Sequence, residues 1–181
     1  MTPSEKLAPV KAAGLLTGLA ACLLLVGCDR KGEAECDTPS RLPVPRFVAL
    51  EYNTINARNG PGEDHRILWT WRAKGMPVEV IAETASWRRV RGPDGAAAWV
   101  HKRGLDGSLM VMRVKPAAVA LLAEPKAGAK VTAWLRPNAV ATLEKSEGDW
   151  RKVKASGRSG WVQAGEVWGA GAPTPCVPRE R

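Results

Sequence analysis

The sequence predicts an all-β protein, two small β-barrels in tandem behind an N-terminal signal segment and a tether. Three observations predict it. First, Gly 18 and Pro 14 among 181 residues place turns at short intervals, which suits short strands and not long helices. Second, the apolar runs are short and rich in Val, Ile, Thr and Trp, with period-two alternation in Ile67, Trp69 and Trp71. Third, one pattern occurs twice. Trp87-Arg88-Arg89-Val90 returns 63 residues later as Trp150-Arg151-Lys152-Val153, and Ala98-Trp99-Val100-His101 returns 62 residues later as Gly160-Trp161-Val162-Gln163. Val78-Glu79-Val80-Ile81 aligns with Val140-Ala141-Thr142-Leu143, and Ile67–Trp71 parallels Val131–Leu135. Four segments in one order at nearly constant offset define a repeat of about 60 residues, near the minimum for an independent core. Hydrophobic content of 45% with 25% charged residues fits a folded chain and argues against a wholly disordered one.

The elements follow in chain order. Lys6 and Lys11 form a positive start, and Ala12 to Gly27 is apolar apart from Thr17. As a helix this stretch measures roughly 24 Å at about 1.5 Å per residue, short for a membrane span and suited to a signal-peptide core. It closes on Leu25-Val26-Gly27-Cys28, which resembles the lipobox of bacterial lipoproteins, in which the Cys is lipidated and becomes the first residue. Leu19-Ala20-Ala21-Cys22 matches too, but cleavage there would leave Leu23-Leu24-Leu25-Val26 at the new terminus. Asp29 after Cys28 resembles a signal for retention in the inner membrane. The sequence therefore predicts a signal peptide over 1–27 and a protein on the periplasmic side of a bacterial envelope, anchored to a membrane if Cys28 is lipidated and otherwise periplasmic or secreted.

Residues 28–45 are polar, with Pro39, Pro43 and Pro45, and read as a flexible tether. Domain 1 is expected over 46–105. Asn59-Gly60-Pro61-Gly62, Lys74-Gly75 and Gly92-Pro93-Asp94-Gly95 punctuate its strands; in the last, Pro93 presets φ and Gly95 supplies a positive φ. Leu109–Val114 is predicted as a strand within a link over 106–116, packed against both units. Domain 2 is expected over 117–168, with Ala155-Ser156-Gly157-Arg158 as its turn. The tail 169–181, with Pro173, Pro175 and Pro178, is expected to be disordered.

Ile55-Asn56-Ala57-Arg58-Asn59-Gly60-Pro61-Gly62 is similar to the opening motif of the bacterial SH3-like (SH3b) family. A strand, a Gly before a Val-rich strand, Trp87-Arg88 and Ala98-Trp99-Val100 follow as that family requires. The resemblance spans about Arg46 to Trp168 as two SH3-like barrels. The second departs from the pattern: Leu122-Ala123-Glu124-Pro125 stands where the Asn-x-Arg opening would be. The resemblance implies an envelope binding module for cell-wall glycan or peptide. The alternative is a structural or adaptor lipoprotein that recruits another envelope protein.

Asn56, Arg58, Gly60 and Gly62 are read as structural: the polar pair bonds nearby backbone and the glycines make tight turns. Trp99 and Trp161, each before a Val, are expected in the cores. Trp87 with Arg88 and Arg89, and Trp150 with Arg151, are the candidate ligand contacts, because an indole beside cations makes a recognition platform. A core lid with a snorkelling Arg gives the same pattern. Cys36 and Cys176 flank the repeats; they either bridge in an oxidising compartment or remain thiols.

Catalytic chemistry is not predicted. His65 and His101 have no partner at metal spacing, Gly60-Pro61-Gly62 lacks the Lys and helix of a phosphate loop, and no acid pair stands out. No cofactor and no metal are expected. The net charge of +9 falls to +8 once residues 1–27 are removed. Outside the cytoplasm that charge points away from nucleic acid, toward anionic headgroups, acidic wall polymers or other envelope proteins. The single Tyr rules out the aromatic groove that reads polyproline.

Overall fold

The computed structural model describes residues 34–35, 38–171 and 176–177. The signal segment, Cys28, Asp29 and Cys36 lie outside the described residues. Among those described, every regular element is a strand or a short 3-10 turn.

The chain opens with β1 (Ala34–Glu35) and enters barrel 1. Its strands are β2 (Arg46–Leu50), β3 (Ile55–Arg58), β4 (Ile67–Trp71), β5 (Pro77–Glu83), β6 (Trp87–Arg91), β7 (Ala97–His101) and β8 (Leu105–Asp106). They form one sheet in the order β4-β3-β7-β6-β5-β2-β8. Alternation sets the inward face: Val78 and Val80 on β5, Val90 on β6 and Val100 on β7 join Leu50, Ile55 and Met76 in one core. Gly95, at φ 84°, closes the β6–β7 hairpin, and the register carries Trp87 opposite His101 and Arg89 opposite Trp99.

Barrel 2 repeats the plan with β9 (Met110–Met112), β10 (Val119–Leu122), β11 (Val131–Leu135), β12 (Val140–Glu147), β13 (Trp150–Ala155) and β14 (Arg158–Gln163), in the order β11-β10-β14-β13-β12-β9. Val111, Leu121, Leu135, Ala141, Val153, Val162, Val167 and Ala170 fill its core. β9 pairs with β12 as β2 pairs with β5. The segment expected as a link is thus the opening strand of barrel 2. It also touches barrel 1, because Met112 packs on that core. Phe47 meets Trp168 edge to face at 5.2 Å, and Gly169 leaves no room for a side chain against Pro77. The pairing of β12 with β9 aligns the repeats one residue differently from the sequence pattern: buried Val78 corresponds to buried Ala141.

Two segments expected as free chain are packed. Within the tether, Ser40 donates to Glu83 at 2.6 Å, Arg46 reaches Pro43 O and Glu83, and Val44 covers the barrel 1 core. At the tail, Ala170 is buried and β15 (Cys176–Val177) pairs in parallel with β1, Ala34 opposite Cys176. Cys176 is disulfide-bonded. Buried partners on the barrels hold the described tether residues and Ala170, while β15 is held by β1 in a separate two-stranded sheet.

Candidate functional site

The site is built where β3 meets β6 and β7 on barrel 1. Alternation on β3 buries Ile55 and Ala57 and turns Asn56 outward. Asn56 Oδ1 accepts from the Thr70 hydroxyl at 3.1 Å across the β3–β4 pair. Arg58 donates from Nη1 to His65 O at 2.6 Å, pinning the Asn59–Arg66 loop. That loop is tight because Gly60 has no side chain: a Cβ there would fall 2.5 Å from the His65 ring. Gly62 accepts from the His65 N–H and donates to Gly60 O. Arg58, Gly60 and Gly62 therefore shape the loop, while Asn56 ties β3 to β4 through the Thr70 hydroxyl and not through backbone.

Beside the loop runs a shallow groove of about 160 Å³, lined by Thr54, Asn56, Arg58, Glu63, Trp87 and His101, with Ile55, Val100 and Gly104 beneath. Trp87 and His101 form its aromatic corner, rings 5.3 Å apart and nearly perpendicular. His101 Nδ1 accepts from the Arg103 N–H at 3.3 Å, so the neutral ring carries its proton on Nε2. Glu63 gives the groove a carboxylate and Arg58 a guanidinium. Among the described residues no group of three or more His, Cys, Asp or Glu side chains gathers to hold a metal.

Of the Trp–basic residues, only Trp87 reaches the groove, and it shows just 9% of its surface. Arg88 is a correction. It is 8% exposed, faces inward, pairs with Glu83 at 2.6 Å and donates to Thr84 O and Trp87 O. Glu83 has no exposed side-chain surface. Burial opposes its charge, but hydrogen bonds from Ser40, Thr38 and Arg46 outweigh that and hold its carboxyl below the ordinary range. Burial also lowers the Arg88 guanidinium, with Glu83 opposing. Arg88 is thus part of a buried polar cluster that fastens residues 38–46. Arg89 is exposed on the outer face, opposite Trp99.

Trp150 is half-buried opposite Gln163, with no histidine to complete a corner. Arg151 spends its guanidinium on Gly148 O, Trp150 O and Ala170 O, which again withdraws it from a ligand. Trp99 is a second correction: Ala98 and Val100 point into the core, and Trp99 sits half-buried on the outer face. Its counterpart Trp161 is 8% exposed, with Lys145 Nζ 5.7 Å above its ring. The expectation holds for Trp161, which is buried, and fails for Trp99, because the inward positions of β7 are its neighbours.

Three residues escaped the sequence reading. His101 and Glu63 complete the groove, and Trp134, 64% exposed, stands on barrel 2. Counting outward from the Gly92–Gly95 turn pairs residue 87 with residue 101, so His101 was findable; Glu63, placed by the loop fold, was not.

Twin barrels with a pinned loop between β3 and β4 define tandem small β-barrels of SH3 type. The model of the bacterial SH3 domain matches residues 51–107 and again 115–169, and the chain belongs to that family. Both matches begin after the opening strand of their barrel. No curated protein matches the chain. Among solved structures it is similar to NlpC1 from Trichomonas vaginalis, at 15% identity and a TM-score of 0.31, covering 68% of this chain and 45% of that one. NlpC2 from the same organism gives 14% identity and a TM-score of 0.32, covering 68% and 48%. The chain spans less than half the length of these structures.

Proposed function

We propose that this protein is a non-catalytic binding module of the bacterial envelope, held at a membrane through Cys28, and that its barrel 1 groove contacts cell-wall peptidoglycan through the peptide. The carrying observation is the groove itself: an aromatic corner of Trp87 and His101 next to Asn56, with Glu63 and Arg58 supplying opposite charges. A neutral glycan strand has no use for that charge pair, whereas a peptide with free amino and carboxyl groups meets both. Family membership supports a binding role, and the apolar segment ending at Cys28 supports export and anchoring. The periplasmic face of the inner membrane, as Asp29 suggests, is the proposed location.

The test is sedimentation with purified peptidoglycan at about 0.15 M salt, where charges are screened beyond about 8 Å. Wild type should pellet, and His101→Ala with Asn56→Ala should stay in solution. Equal pelleting by the variant, or none by wild type, removes the reading. Labelling cells with a palmitate analogue tests the anchor: Cys28→Ser should lose the label.

A further inference from the structure

Barrel 2 carries a feature that the groove does not use. β11 lies at the end of its sheet and, among the described residues, pairs only with β10. Natural proteins usually blunt such an edge; this one presents Trp134 at 64% exposure and Val131 at 42%. A hollow of about 410 Å³ runs along it, lined by Val131, Thr132, Ala133, Trp134, Arg136 and Arg158. Both arginines are exposed. Among the described residues neither meets a carboxylate, although Lys126, Lys145 and Lys115 nearby in sequence each do.

The spacing is specific. Trp134 is exposed on β11, Arg136 follows just past the strand's end at Leu135, and the β10–β11 register shifts beside Thr132. Thr132 Oγ1 lies 3.2 Å from Ser159 O, so Arg158 belongs to the Thr132 end and Arg136 to the other. The sequence of features along the edge is cation, indole, cation. Barrel 1 lacks it. There Thr70 stands where barrel 2 has Trp134, as the partners Asn56 and Ala120 show, and its hydroxyl is bonded to Asn56.

We propose that the β11 edge docks an extended acidic segment of another protein as an added strand. Backbone groups pair along β11, an apolar side chain covers Trp134, and carboxylates two positions to either side meet Arg136 and Arg158. The segment has the form acid-x-apolar-x-acid. This site is independent of the barrel 1 groove, and it makes the chain an adaptor.

The test is fluorescence anisotropy of a fluorescein-labelled peptide, Ser-Glu-Thr-Leu-Thr-Glu-Ser, with the folded chain. Saturable binding is expected. Trp134→Thr should weaken it by about tenfold or more, as should Arg136→Glu with Arg158→Glu or a peptide with Gln for Glu. His101→Ala should leave it unchanged, which separates this result from any failure of the groove. Absence of saturable binding overturns the proposal, as does binding that Trp134→Thr leaves intact. A Trp134-dependent dimer in sedimentation velocity would assign the edge to a second copy, and Trp134-dependent pelleting with phosphatidylglycerol vesicles would assign it to a membrane; either overturns the proposal.

Discussion

Barrels 1 and 2 have the same strand plan and nearly opposite surfaces. In barrel 1, β3 offers Asn56 and Arg58, which bind Thr70 and the loop carbonyl of His65. In barrel 2 the paired positions of β10 are Ala120 and Leu122. Where polar side chains hold the loop, a groove forms beside it; where they are replaced by apolar ones, an indole comes to the outside of the neighbouring strand. The inward arginine differs as well. Arg88 is neutralised by a buried carboxylate, whereas Arg151 is satisfied by three carbonyls. One position on the fold has been solved with a charge pair in one copy and with neutral acceptors in the other.

The largest expected effect breaks that contrast at Glu83. Its carboxylate is shared by Arg46, Arg88 and Ser40. Glu83→Gln leaves two nearly buried guanidinium groups without a counter-charge, and about 3–5 kcal/mol of stability should go. Arg151→Met in barrel 2 frees only neutral carbonyls, at about 1–3 kcal/mol. Urea unfolding checks both; equal losses would mean that Glu83 contributes no more than a neutral acceptor.

Acid should sharpen the same difference. The folded Glu83 carboxyl lies below its ordinary value of 4.5. A depressed carboxyl contributes stability that is fully present above the unfolded value and is lost as pH falls through the folded one. Glu166 follows the same sign, its carboxyl held down by Lys115 and then Arg113. Wild type should therefore lose stability in steps below pH 4.5, and Glu83→Gln should flatten part of that curve. An unchanged pH profile in the variant would place the acid sensitivity elsewhere.

Smaller still is the contrast between two loop glycines. A Cβ at Gly60 would meet the His65 ring, while at Gly128, φ 77°, it would meet nothing within 4 Å. Gly60→Ala should displace His65, weaken the Arg58 clamp and cost about 1–3 kcal/mol. Gly128→Ala carries only its backbone strain, about 1 kcal/mol. Thermal unfolding of both, with peptidoglycan pelleting for Gly60→Ala, tests whether the loop sets the groove.

Much of this was legible from residue order. The twofold repeat located both barrels, because four short segments recur with their turns, and the short alternating runs marked them as strands. What it mislaid depends on distance in sequence. Glu83 is 43 residues from Ser40, so the capture of the tether had no local signal; Arg88 read as a surface cation although Glu83 is its direct cross-strand partner in the β5–β6 hairpin. Trp99 was misjudged for a local reason: size suggested core, while the period-two rule assigns the inside to Ala98 and Val100. Trp134 was hidden in plain alternation, since a strand pattern does not tell an edge from a centre.

The smallest effect on stability belongs to that residue, and this makes it useful. Trp134 is exposed and cross-strand from Ala120, so Trp134→Thr removes little buried surface and should shift stability by no more than about 0.5 kcal/mol. The reverse change in barrel 1, Thr70→Trp, deletes the hydroxyl that Asn56 accepts and should cost about 1 kcal/mol. If Trp134→Thr destabilises as much as a core truncation, the indole is a packing residue and the surfaces of the two barrels differ for structural reasons. If stability holds while partner binding falls, the second copy of the fold has given up the loop clamp and acquired an exposed indole on the edge strand that both copies share.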